Sequence, residues 1–306
     1  MSCPIVLKID VDTHEGMKHG VPRLLDLLAK HGVPGTFFLT FGPDRMGLAL
    51  LQLRKPRFLQ KMIQTGAPSL YGWRTVFSGT LLPARPVALA FPELVRRLVD
   101  EGHEAAVHAW DHRAWQDNLD TFKPARIRRH YERSCAAYRS LTGCDPLGVG
   151  APAWTTTPTS LHLQDGFPFT YASDLRGGPH CRLRTARGPL RLPQFPGTGA
   201  CLEELIPRFP ADEQVLADAL LAEVLSGDPG LRVLTLHAEV EGGPYAGVLD
   251  RLLPRLKEHG PITTMASVCP QLGPSLPERV WRRVRLPGRA FAVTSSAPLR
   301  EGACAP

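Results

Sequence analysis

Short apolar stretches that alternate with helical patterns constrain this chain more than any other feature. Ile5-Val-Leu-Lys-Ile-Asp-Val11 is apolar over most of its length, the pattern of a strand buried on both faces of a parallel sheet. Residues 17–31 follow with Val21, Leu24, Leu25 and Leu28 at helical spacing, and Gly32 stands where a C-cap belongs. Gly35-Thr-Phe-Phe-Leu-Thr-Phe41 reads as a second strand, with further strands expected at 104–107, 147–150, 169–173 and 231–237. Helices are expected from Pro92 to about Glu101 and over 123–142, 211–226 and 246–259. No internal repeat interrupts the alternation, which predicts a parallel α/β architecture. Periodicity alone does not choose between a barrel and an open sheet.

The chain has 306 residues, 43% of them hydrophobic and 21% charged, enough to bury a substantial core. Seven cysteines without a C-x-x-C argue against a disulfide framework or a thiolate zinc site. The first residues lack the pattern of a signal peptide, and no run reaches the ~18 apolar residues of a spanning helix. The net charge of +7 is uneven. Residues 41–90 carry seven basic residues against Asp44, and 271–306 carry six arginines against two glutamates, so the remaining body is mildly acidic. That distribution argues against nucleic acid, whose partners spread basic charge along a docking face. In the first basic segment Arg54, Lys55, Arg57 and Lys61 are interleaved with Leu50, Leu51, Leu53, Phe58, Leu59 and Met62, and Tyr71 and Trp73 follow. A helical hairpin packed on the core and an amphipathic surface for anionic lipid both fit this pattern. The Pro-, Gly- and Arg-rich residues 271–306 are expected to form a flexible basic tail.

The residues that carry chemistry fall at strand ends. Asp10 and Asp12 close the first strand, at the end of an α/β sheet where loops converge on a site. Taken alone, such a pair is a weak signal, since strand-terminal aspartates more often serve as turn and capping residues. His108-Ala-Trp-Asp-His112 places two imidazoles at i and i+4, on one side of a helical turn, a spacing that suits one divalent ion. His237 ends the late strand Leu234-Thr-Leu-His237 and is a candidate general acid, because its unperturbed pKa of ~6.5 lies near working pH. Asp174 follows Phe169-Thr-Tyr-Ala-Ser173 and is a candidate to orient such a histidine. A structural role fits each of these residues singly, but their shared position at strand ends is poorly explained by chance.

In this order, Asp10-x-Asp12, His108-x-x-x-His112, Asp174 and the Leu-His of 236–237 resemble the polysaccharide deacetylase (NodB-homology, carbohydrate esterase 4) superfamily. Ser69-Leu-Tyr-Gly-Trp73, Ser173-Asp-Leu-Arg-Gly177 and His237-Ala-Glu-Val-Glu-Gly242 are similar to its branch that deformylates undecaprenyl-phosphate-linked 4-deoxy-4-formamido-L-arabinose. The resemblance spans roughly residues 5–270. It implies a distorted (β/α) barrel over 1–270, with 41–90 as an insertion. It further implies a mononuclear site with Asp12, His108 and His112 as ligands, Asp10 as general base, His237 as general acid and Asp174 as its partner. The family's third motif usually has an Arg near the base. Gly150-Ala-Pro-Ala-Trp154 has none, which leaves Arg176 as the candidate substitute. Zn2+ suits two histidines and one aspartate, and Co2+, Ni2+ and Mn2+ are compatible. The implied partners are the polyprenyl-linked sugar and the anionic inner-membrane surface, reached peripherally from the cytoplasm. Arg54, Lys55, Arg57, Lys61, Tyr71, Trp73, Arg176 and Glu239 are then the candidates for lipid or substrate contact. A deacetylase of another amino sugar or polysaccharide and a non-catalytic membrane-binding module are the competing readings.

Overall fold

The computed structural model describes residues 3–48, 75–226, 230–272, 276–286, 289 and 291–299. β1 (Ile5–Val11) is buried at every position, as its apolar run requires. α1 (Val21–His31) packs Val21, Leu24, Leu25 and Leu28 inward and ends at Gly32, whose φ of 61° is the left-handed cap that glycine accepts without strain. β2 (Thr36–Thr40), α2 (Pro92–Asp100), β3 (Glu104–Ala109), α3 (His112–Asn118), α4 (Pro124–Thr142) and β4 (Gly148–Val149) continue the alternation. α5 (Pro158–Gln164), β5 (Tyr171–Ala172), β6 (Cys181–Thr185) and β7 (Gly188–Gln194) follow. α6 (Leu202–Leu205), α7 (Glu213–Leu225), β8 (Arg232–His237), α8 (Ala246–His259), β9 (Ile262–Thr263) and α9 (Met265–Val268) complete the α/β layers. A last pair, β10 (Glu278–Val284) and β11 (Val293–Pro298), closes the described chain.

The sheet runs β11-β10-β6-β7-β5-β4-β3-β2-β1-β8, with β9 on β1. From β7 through β5, β4, β3, β2 and β1 to β8 every pairing is parallel. This is the distorted barrel that the sequence resemblance implied. Among the described residues its two ends are not laddered together. Instead Thr198, just beyond β7, bridges to β8: its N–H donates to the Val233 carbonyl (2.8 Å) and its hydroxyl accepts from the Val233 N–H (3.0 Å).

A hydrophobic core joins β1, β2 and β3 to α1, α4, α7 and α8. The turns after β1 and β8 meet backbone to backbone. A Cβ on Gly20 would fall 2.0 Å from the Ala238 carbonyl oxygen, and one on Gly242 2.4 Å from the same atom.

The expected flexible tail is corrected in its described part. β10 pairs parallel with β6 and antiparallel with β11, and Val293, Thr294, Ser295 and Ser296 are buried. Arg283 forms two bonds to Asp120, at 2.7 and 2.8 Å. Composition misled because these arginines reach specific acids and β11 alternates few apolar residues, whereas the edge of β6 supplies the template.

Candidate active site

Parallel register brings the strand ends together. Asp10 on β1 is the register partner of Phe38 on β2 and of His237 on β8. Asp12 lies just past β1, in a turn held by Glu239 from the turn after β8. One Glu239 oxygen accepts from the Asp12 N–H (3.1 Å), the Thr13 N–H (2.9 Å) and the Thr13 hydroxyl (2.7 Å). Glu239 thus serves as a brace for the Asp12 turn.

His108 lies in β3 and His112 opens α3, so a strand-to-helix turn, rather than one helical face, brings the two rings together. Their centroids are 5.2 Å apart. His108 Nε2 lies 3.2 Å from Asp12 Oδ1, and His112 Nε2 lies 3.3 Å from Asp12 Oδ2. His108 Nδ1 is 2.8 Å from the Gly150 carbonyl, which takes the ring N–H and leaves the Nε2 lone pair facing Asp12. Burial, opposed by Asp12, holds His112 down to about 4. Asp12 is pushed up by burial, but the two imidazoles outweigh that and keep it below the usual carboxylate range.

Two observations fit this triad to a divalent cation. Asp12 Oδ1 and His108 Nε2 are buried and lack a hydrogen-bond partner, which is costly unless a ligand takes them up. The neighbouring carboxyl groups do not compete for that cation: burial and neighbouring Asp12 push Glu239 up to about 8, and burial and Glu203 push Glu241 up to about 8, so both favour the neutral acid near pH 7. Two imidazole nitrogens and one carboxylate form a donor set for Zn2+ or a similar ion with open positions. Cys201, Glu203 and His237 also converge. There the carboxylate and imidazole already neutralise each other, and Arg289 Nη2 lies 3.8 Å from the Cys201 sulfur, a charge that opposes a cation.

His237 is half of an ion pair. Its Nδ1 lies 2.7 Å from Glu203 Oε1, on α6, and its backbone N–H donates to Glu241 (2.8 Å). Burial disfavours the imidazolium, yet Glu203 overcomes that and raises His237 well above its ordinary value. Glu203 is correspondingly held down to about 2, its own burial being outweighed by His237.

Two expectations are corrected. Asp174 does not face His237. Its oxygens accept from the Ala151 N–H (2.8 Å), Gln194 (3.0 Å) and Gln164 (3.4 Å), and Glu203 takes the partner role. Arg176 does not face Asp10 either, since it pairs with Glu204 at 2.7 Å and lies over the Trp154 ring. The cation beside Asp10 is Lys8, with Nζ 3.5 Å from Oδ2. Sequence reasoning missed Lys8 and Glu203. A lysine at the centre of an otherwise apolar strand was an available signal, whereas Glu203 stands in an irregular stretch with no local mark.

Arg54, Lys55, Arg57, Lys61, Tyr71 and Trp73 lie outside the described residues. Elsewhere in the 41–90 segment, Arg45 pairs with Asp111 (2.9 Å) and Arg85 with Glu15 (2.6 Å), so these two basic residues have acidic partners within the fold. Leu81 and Leu82 are exposed at 79% and 42%. Among the described residues no helix is long and apolar enough to cross a membrane.

Comparison with known proteins identifies the family and the fold. The polysaccharide deacetylase family model matches residues 5–172. A Shewanella sediminis protein named "Probable 4-deoxy-4-formamido-L-arabinose-phosphoundecaprenol deformylase ArnD" is 35% identical over 254 residues, covering 83% of this chain and 81% of the relative. A Wigglesworthia glossinidia brevipalpis protein of the same name is 28% identical over 239 residues, 78% and 82% of the two chains. A Mycobacterium smegmatis structure assigned as a polysaccharide deacetylase superposes with a TM-score of 0.64 at 21% identity, covering 93% of this chain and 95% of the other.

Proposed function

The chain belongs to the polysaccharide deacetylase family and is an amide hydrolase, and from that premise we propose that it removes the N-formyl group from undecaprenyl-phosphate-linked 4-deoxy-4-formamido-L-arabinose. The products are formate and the 4-amino sugar on its lipid carrier, the form used to modify lipid A in polymyxin resistance. The observation that carries this reading is the register of Asp10 with His237, at the strand ends where Asp12, His108 and His112 converge. The names of the two ArnD relatives supply the substrate class.

Asp12, His108 and His112 would hold the cation, with Zn2+ the ion that best suits them. When bound, it supplies positive charge that polarises the formyl carbonyl and acidifies water in the site. Asp10, with one buried oxygen bare, takes the proton from the attacking water. His237, kept protonated by Glu203, delivers a proton to the departing sugar amine. Glu203 stays ionised throughout and holds the ring.

The exposed Leu81 and Leu82 support contact with the apolar carrier or a bilayer surface, on the cytoplasmic face where the substrate's headgroup is presented. Arg54, Lys55, Arg57 and Lys61 are placed by this reading against phosphate or anionic lipid.

The test is formate release from a polyprenyl-phosphate formamido-arabinose substrate. Activity should fall to background on chelation and return on adding Zn2+, Co2+, Ni2+ or Mn2+. The matched acetamido substrate is the control, because the family match alone would also accommodate a deacetylase. Faster turnover of the acetamido compound, or full activity after exhaustive chelation, would defeat the proposal.

A further inference from the structure

Lys8 occupies a place that its chemistry makes expensive. It stands in the middle of β1 with a relative exposure of 0%. An ammonium without water is destabilising by several kcal/mol unless other groups compensate it. Its polar neighbours are the Ser173 carbonyl at 3.2 Å and Asp10 Oδ2 at 3.5 Å. The Phe38 and Trp154 rings lie 5.0 and 5.3 Å from Nζ and close off the remaining sides. Trp154 reaches that position through a turn in which Ala153 and Trp154 both adopt positive φ, 49° and 50°, an uncommon arrangement for residues with side chains.

A purely structural lysine needs only enough acceptors to satisfy its charge, and one neutral carbonyl does not suffice. The compensating charge comes from the Asp10 carboxylate. Lys8 and Asp10 point to the same face of β1, because strand side chains alternate with period two. Buried Asp174, just beyond β5, has its carboxyl group pushed up by burial, an effect that its hydrogen-bond donors and then the Lys8 charge only oppose. Each of the Asp174 oxygens has its own donors from Ala151, Gln164 and Gln194. Asp10 does not: Oδ1 is buried with no partner, while Oδ2 faces Lys8. The carboxylate is therefore tethered by one oxygen and bare at the other, the arrangement a proton acceptor needs.

We propose that Lys8 is the positioning residue of the base: it anchors Asp10 through Oδ2 and leaves Oδ1 to receive the proton. This rests on the reading of Asp10 as the base. The ring-lined pocket keeps water from the ammonium, so its charge acts on Asp10 with little screening. The Gly150–Trp154 stretch offers no cation for the task, and Arg176 is committed to Glu204.

The experiment uses metal-loaded full-length enzyme and compares Lys8→Met, Lys8→Arg, Asp10→Asn and the Lys8→Met/Asp10→Asn double variant. Lys8→Met should lower kcat about 100-fold, in the range of a lost acid–base contribution, with KM changed less than about twofold. Metal stoichiometry should stay at the wild-type value. Lys8→Arg should recover at least about tenfold of the loss, since it restores the charge. The double variant should be no slower than Asp10→Asn alone, because the two residues act through one carboxylate. Wild-type kcat in Lys8→Met would overturn the proposal. So would a double variant slowed below Asp10→Asn by the full Lys8→Met factor. Wild-type kcat in Asp10→Asn would instead remove Asp10 as the base. Should Lys8→Met fail to fold, Lys8→Gln takes its place with the same expectations.

Discussion

Glu203 sets the proton affinity of His237 from 2.7 Å away, and the direction of that effect can be measured. Burial lowers the affinity and the carboxylate more than restores it, so the acid stays protonated at neutral pH. Glu203→Gln keeps the size of the side chain and removes the charge. The imidazolium pKa then falls, and the alkaline limb of the kcat profile moves to lower pH. At neutral pH kcat should drop by roughly 100-fold, the lower end of what general acid catalysis contributes. An alkaline limb at the wild-type position would show that Glu203 does not tune the acid. At this scale the sequence revealed only part of the site. Asp10, Asp12, His108 and His237 were legible because each stands at or beside a strand end, and His112 because it falls four residues after His108. Glu203 was not, because it pairs with His237 only after α6 folds across the end of β8.

The elements were more legible than their partners. Apolar runs marked β1, β2 and β8, and the C-cap glycines marked the ends of α1 and α4. The β6–β7 and β10–β11 pairs escaped because Arg and Pro dilute their alternation and edge pairing supplies what propensity lacks. α4 also carries a titration of its own. His130 on its buried face lies 5.6 Å from the Trp115 ring and 5.5 Å from the Phe122 ring. Burial, aided by Arg126 and Arg133, holds it down to about 4. Between pH 4 and its ordinary 6.5 the unfolded chain binds a proton that the native helix refuses, so stability rises with pH through that window. It is lost as the pH falls, by on the order of 3 kcal/mol once below 4. Denaturant unfolding of His130→Phe should show a visibly shallower dependence from pH 6.5 to 4. An unchanged slope would place the acid sensitivity elsewhere.

For the whole molecule, the C-terminal pair of strands functions as part of the body. β10 extends the sheet beyond β6, Val293 packs with Trp154 and Cys201, and Arg289 pairs with Glu204. The +4 charge of residues 271–306, read from sequence as a loose tail, is partly spent on Asp120 and Glu204. Deleting residues 276–306 should lower the melting temperature by roughly 5–10 °C, the equivalent of a few kcal/mol. It should also weaken catalysis by unpacking Trp154 from Lys8. A deletion variant that melts with wild type would show the hairpin to be an ornament. The parallel strands have a consequence of another kind, in time rather than space. β1 lies between β2 and β8, and β8 begins only at Arg232. At about 5–20 residues per second, a ribosome leaves one edge of β1 bare for on the order of ten seconds or more after β1 is made. All three candidate metal ligands exist by His112, long before the acid at His237. A cation captured by the nascent chain would clasp the turn after β1 to β3 while that edge is still open to wrong partners.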